Sequence, residues 1–251
     1  TSPAGASAQT FTVENLNDNG PGSLRAALLD ANANPGADTV VFDVGVTGTI
    51  TLTTGKLVVS DSVTVVGPGS GLLTVEAATD KIFYLYNAAS SLDVSISGMS
   101  LSGGASGIFS WTTDLVLDDV HASGSTAVDS LLVVDSNHRD RDQSVTIRNS
   151  SFTGASASST GAGIRIDNGF GDHPVVIEHT TVADNTTTSG VGGIYLYEAS
   201  SVTITDSVIS GNSGDIGGGG MRLGGYVTSA VIASTTISGN ETNGWGGGLY
   251  S

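Results

Sequence analysis

Residues 202–223 read VTITDSVISGNSGDIGGGGMRL. Val202 and Ile204, then Val208 and Ile209, are set among small polar residues, as in a half-buried strand. Four glycines follow, and the alternation resumes at Met221-Arg222-Leu223. A glycine run ordinarily marks a flexible linker, but a linker gives no reason for the pattern to restart. An internal repeat does. VTIRNSSF from Val145, VVIEHTTV from Val175, VTITDSVI from Val202 and AVIASTTI from Ala230 align without gaps, their starts 30, 27 and 28 residues apart. Fainter copies begin at Val94 (VSISGMSL) and Leu115 (LVLDDVHA), and VTVVGPGS at Val63 supplies a seventh start.

A second strand-like element follows each copy. Ile82, Ile164, Ile194, Met221 and Leu249 lie 19 residues after Val63, Val145, Val175, Val202 and Ala230. In the other two repeats it is nearer, around Ile108 and Leu131. Glycines sit just ahead of it: GAGI at 161, VGGI at 191, GGGM at 218 and GGGL at 246. They therefore occupy a fixed corner of a repeating turn, where a positive φ or a close approach to the next turn is needed. Short strands recurring at this period, stacked at about 4.8 Å, describe an all-β parallel β-helix, a solenoid whose crossovers are right-handed by the general rule. Val145, Ile147, Ile164, Ile166 and their counterparts then point inward as aliphatic columns. A β-sandwich of similar composition would not require a constant offset.

Composition fits this reading. Charged residues make up 13% of the 251, so Ser, Thr, Asn and Gly must supply most of the polar surface. The net charge of −16, with Lys56 and Lys81 the only lysines, argues against nucleic acid and anionic lipid as partners. No apolar run is long enough to insert this segment in a membrane. There is no cysteine, so packing alone must hold the fold.

Residues 1–43 read as an N-terminal cap, a strand plus a short amphipathic helix leading into the first coil, and residues 44–251 as the coils. In GSLRAALLDANANPGAD, Ser23 can cap a helix whose Leu24, Ala27, Leu28 and Ala31 share one face, and NPG at 34 ends it. Laid over the first coil, this helix protects an edge that would otherwise pair with another chain. The opposite end, WGGGLYS, stops just inside a strand. The expectation is either a longer protein whose repeats continue or an open end that docks onto a partner in an assembly, and on both the segment alone self-associates through its open C-terminal coil, residues 230–251.

The stretch GPGSLRAALLDANANPGADTVVFD resembles the amino-terminal segment of CSLREA-type bacterial surface proteins, whose repeats form right-handed β-helices. The later GG-x-I and SGN pairs resemble the repeats of chlamydial polymorphic outer-membrane proteins. The family's F-x-x-N tetrapeptide is split here: Phe152 lacks the asparagine, while Asn185, Asn212 and Asn240 follow Val182, Ile209 and Ile237. The resemblance implies a secreted or cell-surface bacterial protein, often adhesive, and no particular ligand.

Four groups are candidates for chemistry. Asn185, Asn212 and Asn240 share a column and form a structural ladder of stacked amides; NTT at 185, NET at 240 and NSS at 149 are also glycan acceptor sequons. An outward column on the first strand reads Asp118, Arg148, Glu178, a register of opposite charges. The outward column on the later strand reads Arg165, Tyr195, Arg222, Tyr250; it can stack on itself or bind a sugar or protein surface. Two long loops bring together Asp135, His138, Arg139, Asp140, Asp142, Asp167, Asp172 and His173. Of these, His138, Asp140, Asp172 and His173 are the binding candidates, for calcium or another ligand. ENLNDNG at 14–20 echoes a calcium loop but lacks its first Asp and distant Glu, and reads as an Asn/Gly turn. No catalytic residue, resident metal or cofactor is expected. The reading is a non-catalytic β-helix module with a structural, adhesive or assembly role, its partner a protein or glycan. The rival is a polysaccharide-active lyase, epimerase or hydrolase, which would group carboxylates, Arg or His in a cleft.

Overall fold

The computed structural model describes residues 7–111, 113–125, 129–135, 142–158, 160–167, 172–225 and 227–251. The strands stack in three sheets, every pair parallel, and each turn of chain adds one row. The first sheet runs from Thr10–Val13 and Asp38–Phe42 through Val145–Arg148 to Ser229–Ala233. The second runs from Leu57–Val59 to Leu249–Tyr250. A third, from Ser156–Ala157 to Glu241–Thr242, closes the later turns.

All seven repeat starts fall in one column: Val63, Val94, Leu115, Val145, Val175, Val202 and Ala230 are register partners in turn. Period-two alternation turns Val145, Ile147, Ile164 and Ile166 inward, and all four are fully buried. Each such side chain contributes about 1.5–3 kcal/mol through burial. The last row is different: Ala230 is exposed, and Ile232, Ile237 and Leu249 are only partly covered.

Two register assignments need correction. In the second sheet Ile108 pairs with Phe83 and with Leu132, so Phe83 and Leu132, not Ile82 and Leu131, complete the column of Ile164, Ile194, Met221 and Leu249. The row from Val63 has a longer connection between its first strand, Val63–Val66, and the next, Leu73–Ala77, and takes one residue more to return. Ile82 and Leu131 are buried as well, so apolarity did not separate the neighbours.

The four-glycine run divides by role. Gly217 and Gly218 have φ of +54° and +83°. Gly219 and Gly220 do not; a Cβ on Gly220 would lie 2.6 Å from the Gly248 carbonyl oxygen and 2.7 Å from Asn240 Nδ2. The corner is thus a left-handed turn followed by a backbone pressed onto the next turn and onto the asparagine column. A further left-handed corner follows the first-sheet strands and uses Asp119, Asn149, His179, Asp206 and Ser234 (φ +48° to +54°). Asp and Asn tolerate that region better than most residues.

The helix spans Leu24–Ala33, capped by Ser23, whose hydroxyl accepts from Ala26 N at 3.1 Å. Leu24, Ala27, Leu28 and Ala31 are buried against the first rows of both large sheets. Asn32 Nδ2 donates to Val58 O (2.8 Å) and Asn32 Oδ1 accepts from Ser60 N (2.7 Å), occupying the edge of the second sheet's first strand. Asp18 ties this cap down. One of its oxygens accepts from the N–H and hydroxyl groups of Thr53 and Thr54 (2.7–2.9 Å), and the other from Arg25 Nη2 (2.6 Å). Burial alone would raise the Asp18 pKa, but the hydrogen bonds from Arg25, Thr53 and Thr54 outweigh it and hold the carboxyl well below the usual range. A depressed carboxylate pKa stabilises the fold above the unfolded value of about 3.9, and that contribution is lost as pH falls toward the folded value. Asp18→Asn is therefore expected to melt earlier at pH 7, by about 2–3 kcal/mol. Its deficit should shrink below about pH 4. Thermal melts from pH 7 to pH 2.5 check this, and a deficit independent of pH would contradict it.

Candidate functional site

Among the described residues, aromatic and charged side chains gather on the outward face of the second sheet. Its column follows the predicted order: Arg165, Tyr195, Arg222 and Tyr250 are register partners. The Arg222 guanidinium carbon lies 5.8 Å from the Tyr195 ring centroid and 5.4 Å from that of Tyr250. Tyr195 is parallel to Tyr197 at 6.0 Å, and Trp245 is stacked on Tyr250 at 6.3 Å. The Tyr197 ring rests over Gly224–Gly225, where a Cβ would come within 3.2 Å of it. Burial pushes the Tyr195 phenol pKa up, and the Asp167 charge adds to this.

The same column continues toward the amino end through Val133 and Phe109 to Tyr84. There lies a group that sequence reasoning missed. Tyr84, Tyr86, Phe109 and Trp111 form a two-by-two block with neighbouring centroids 5.8–6.1 Å apart. Lys56 Nζ sits 4.2 Å from the Tyr84 centroid, and Lys81 Nζ sits 4.9 Å from that of Phe109. Lys81 also pairs with Asp129 at 3.1 Å. The signal was present as KIFYLY and GIFSW, but only the correct register sets the two stretches side by side.

Between the two aromatic groups sits a charged saddle. Asp135 and Asp167 are register partners, and Arg165 Nη2 lies 3.8 Å from one and 3.4 Å from the other. Burial raises the Asp135 pKa; Arg165 opposes this and Asp167 reinforces it. Two of the eight residues assigned to the long loops thus belong to the sheet face. His138 and Asp140 lie outside the described residues. His173 is corrected: it is fully buried, with Nδ1 accepting from Gln143 N at 3.1 Å, and offers no surface for a ligand. Like Gln143, it precedes an inward valine by two residues, so strand alternation turns it inward. Asp172 is exposed, receiving the Ser200 hydroxyl at 2.6 Å, and its N–H donates to Asp142 at 3.0 Å. Among the described residues no three His, Asp or Glu side chains converge as a metal-binding group.

The remaining candidates are structural in geometry. Asn185 Nδ2 donates to Asn212 Oδ1 and Asn212 Nδ2 to Asn240 Oδ1, each at 2.9 Å. Asn185 is fully buried, which removes it as a glycan acceptor in the folded chain. Arg148 pairs with Asp118 at 3.0 Å; the Asn149 amide on the same carboxylate, at 2.8 Å, is the main cause of its lowered pKa. Exposed pairs of this kind contribute about 0–1 kcal/mol.

Comparison with known proteins adds the following. No curated protein matches the chain. A Geobacillus virus E2 protein, ORF18, is similar in structure at 13% identity and a TM-score of 0.37, covering 92% of this chain. The chain spans only 60% of that protein's length. The A-modules of the Azotobacter vinelandii mannuronan C-5 epimerases AlgE4 and AlgE6 are similar at 10% and 9% identity, with TM-scores of 0.26 and 0.22. Each comparison covers 94% of this chain, and 99% and 97% of the respective modules. A family model described as a right-handed β-helix region matches residues 106–250. With more than half of its residues in that match and its sheets stacked row on row, the chain belongs to the right-handed β-helix region family.

Proposed function

We propose that this chain is a non-catalytic binding module of a secreted or cell-surface protein, and that it binds through the outward face of its second sheet. One observation carries the reading. Every described tyrosine (Tyr84, Tyr86, Tyr195, Tyr197, Tyr250) and both tryptophans lie on that face. Packing does not demand this, because the interior is filled by aliphatic side chains with the phenylalanines Phe83 and Phe152 and takes no tyrosine or tryptophan among the described residues. Tyr and Trp concentrate at recognition surfaces because they give large rigid contact area together with a polar tip. The resemblance to CSLREA-type and polymorphic outer-membrane proteins supports display outside the cell and an adhesive role.

The test is adsorption of the chain to surfaces coated with a panel of polysaccharides, mucin and fibronectin. The variant Tyr195→Ala/Arg222→Ala/Tyr250→Ala serves as comparison. Wild type is expected to adhere to at least one surface, and the variant to lose at least about tenfold in affinity, as truncation of central Tyr and Arg anchors typically does. Equal adhesion of the two proteins would remove this face as the binding surface.

A further inference from the structure

The block of Tyr84, Tyr86, Phe109 and Trp111 has no part in the column read from the sequence, and its position relative to that column is informative. Both groups belong to one column of the second sheet, with the buried Val133 and the Asp135–Arg165–Asp167 saddle between them. From the row of Tyr84 to that of Tyr250 there are six register steps, about 30 Å at strand spacing. We infer that the quartet is a second subsite, and that the two aromatic groups and the saddle form one track binding a neutral polysaccharide chain along the solenoid axis. This rests on the binding-face reading above and names its ligand.

Three features select that ligand. The first is repetition. Similar recognition groups recur on successive turns, so a polymer of repeating units can engage several at once, while a single compact partner cannot. The second is chemical pairing. Sugar rings present apolar C–H faces edged by hydroxyls, which matches aromatic rings bordered by phenol hydroxyls, ammonium groups and carboxylates. The third is charge. Four of the eight basic residues, Lys56, Lys81, Arg165 and Arg222, are on this face of a chain of net charge −16. Each is already engaged: Lys81 and Arg165 by aspartates, Lys56 and Arg222 by rings. A cation over a ring keeps its charge, but Asp129, Asp135 and Asp167 stand beside these four cations and leave the track little net positive charge, while the acidic body repels a polyanion.

The experiment is affinity electrophoresis of the full 251-residue chain through gels holding glucomannan, galactomannan, xyloglucan or hydroxyethylcellulose, with alginate and polygalacturonate as anionic counterparts. The expected result is retardation by at least one neutral polymer and by neither anionic one. Tyr84→Ala/Trp111→Ala and Tyr195→Ala/Tyr250→Ala should each weaken retardation about tenfold. Affinity for oligosaccharides of the retarding polymer should rise with length until both groups are spanned, and the Tyr84→Ala/Trp111→Ala variant should lose that rise. Should a variant misfold by circular dichroism, Trp245→Phe leaves Trp111 as the single tryptophan, and its fluorescence should respond to the neutral polymer. Retardation unaffected by Tyr84→Ala/Trp111→Ala but lost with Tyr195→Ala/Tyr250→Ala would overturn the second subsite and leave the binding face standing. Preference for alginate or polygalacturonate, or adhesion to protein surfaces alone, would overturn the choice of ligand. Retardation indifferent to both double variants would overturn the track and the binding-face reading together.

Discussion

Ile194→Asp is expected to destroy the central turns of the solenoid. Ile194 has no exposed surface and sits in register between Ile164 and Met221. A carboxylate there faces aliphatic side chains above, below and across, with no donor in the column to meet it. A buried unpaired charge belongs to the most severe class of substitution, beyond about 5 kcal/mol. That is comparable with the whole stability of an ordinary domain, about 5–15 kcal/mol. Because each turn touches only its neighbours, the damage should begin locally and spread through the turns on either side. The expected readout is loss of the cooperative melt and rapid proteolysis near residues 186–200. Ile194→Val, which removes one methylene from the same site, should cost only about 0.5–1.5 kcal/mol. Unchanged dichroism and melting temperature in Ile194→Asp would mean that the second-sheet register is wrong.

That register was legible where the offset from the first strand to the second is constant, and lost where it is not. From Val145 onward each turn returns to the second sheet after the same count, so alternation alone aligns the rows. Ahead of Val145 the turns differ in length, and two adjacent buried residues, Ile82 and Phe83, left the alternation with no way to choose. This slip hid the aromatic quartet, since Tyr84 and Phe109 become neighbours only when Phe83 pairs with Ile108. The helix was legible because a capping serine, a one-sided apolar face and a terminating NPG all agree. The left-handed corners at Asp119, Asn149, His179 and Asp206 were not, because their residues differ from turn to turn and only the backbone repeats. A hydroxyl column next to them was equally hidden. Ser150 accepts from Val120 N and Ser207 from Thr180 N, each at 3.1 Å, but in a chain so rich in Ser and Thr no single one stands out. His173 was misplaced because its neighbours in sequence are polar, although the alternation leading to Val175 already turned it inward.

The asparagine ladder yields the other large effect, and its size should depend on position along the stack. Asn212 Nδ2 donates to Val182 O and Asn240 Oδ1, and Asn212 Oδ1 accepts from the N–H and the side-chain amide of Asn185, all at 2.9–3.1 Å. Asn212→Ala strands these groups where water has no access, since both Asn185 and Asn212 are fully buried. Each buried group left without a partner costs about 1–3 kcal/mol, so a total near 4 kcal/mol is expected. Asn212→Asp keeps the accepting oxygen but turns two donor contacts into oxygen–oxygen repulsion, and should be no better. Asn240 repeats the same bonds toward Asn212 and Ile209, but it is only half-buried in the outermost row. Water can replace part of what is lost there, so Asn240→Ala should cost clearly less than Asn212→Ala. The Asn185→Ala/Asn212→Ala double variant should lose less than the sum of the single variants, because neighbours in one hydrogen-bonded network couple by about 0.5–3 kcal/mol. Denaturant melts of wild type, the single variants and the double variant decide. Equal losses at 212 and 240, with strict additivity at 185 and 212, would mean that each asparagine only holds its own turn and that no ladder links one turn to the next.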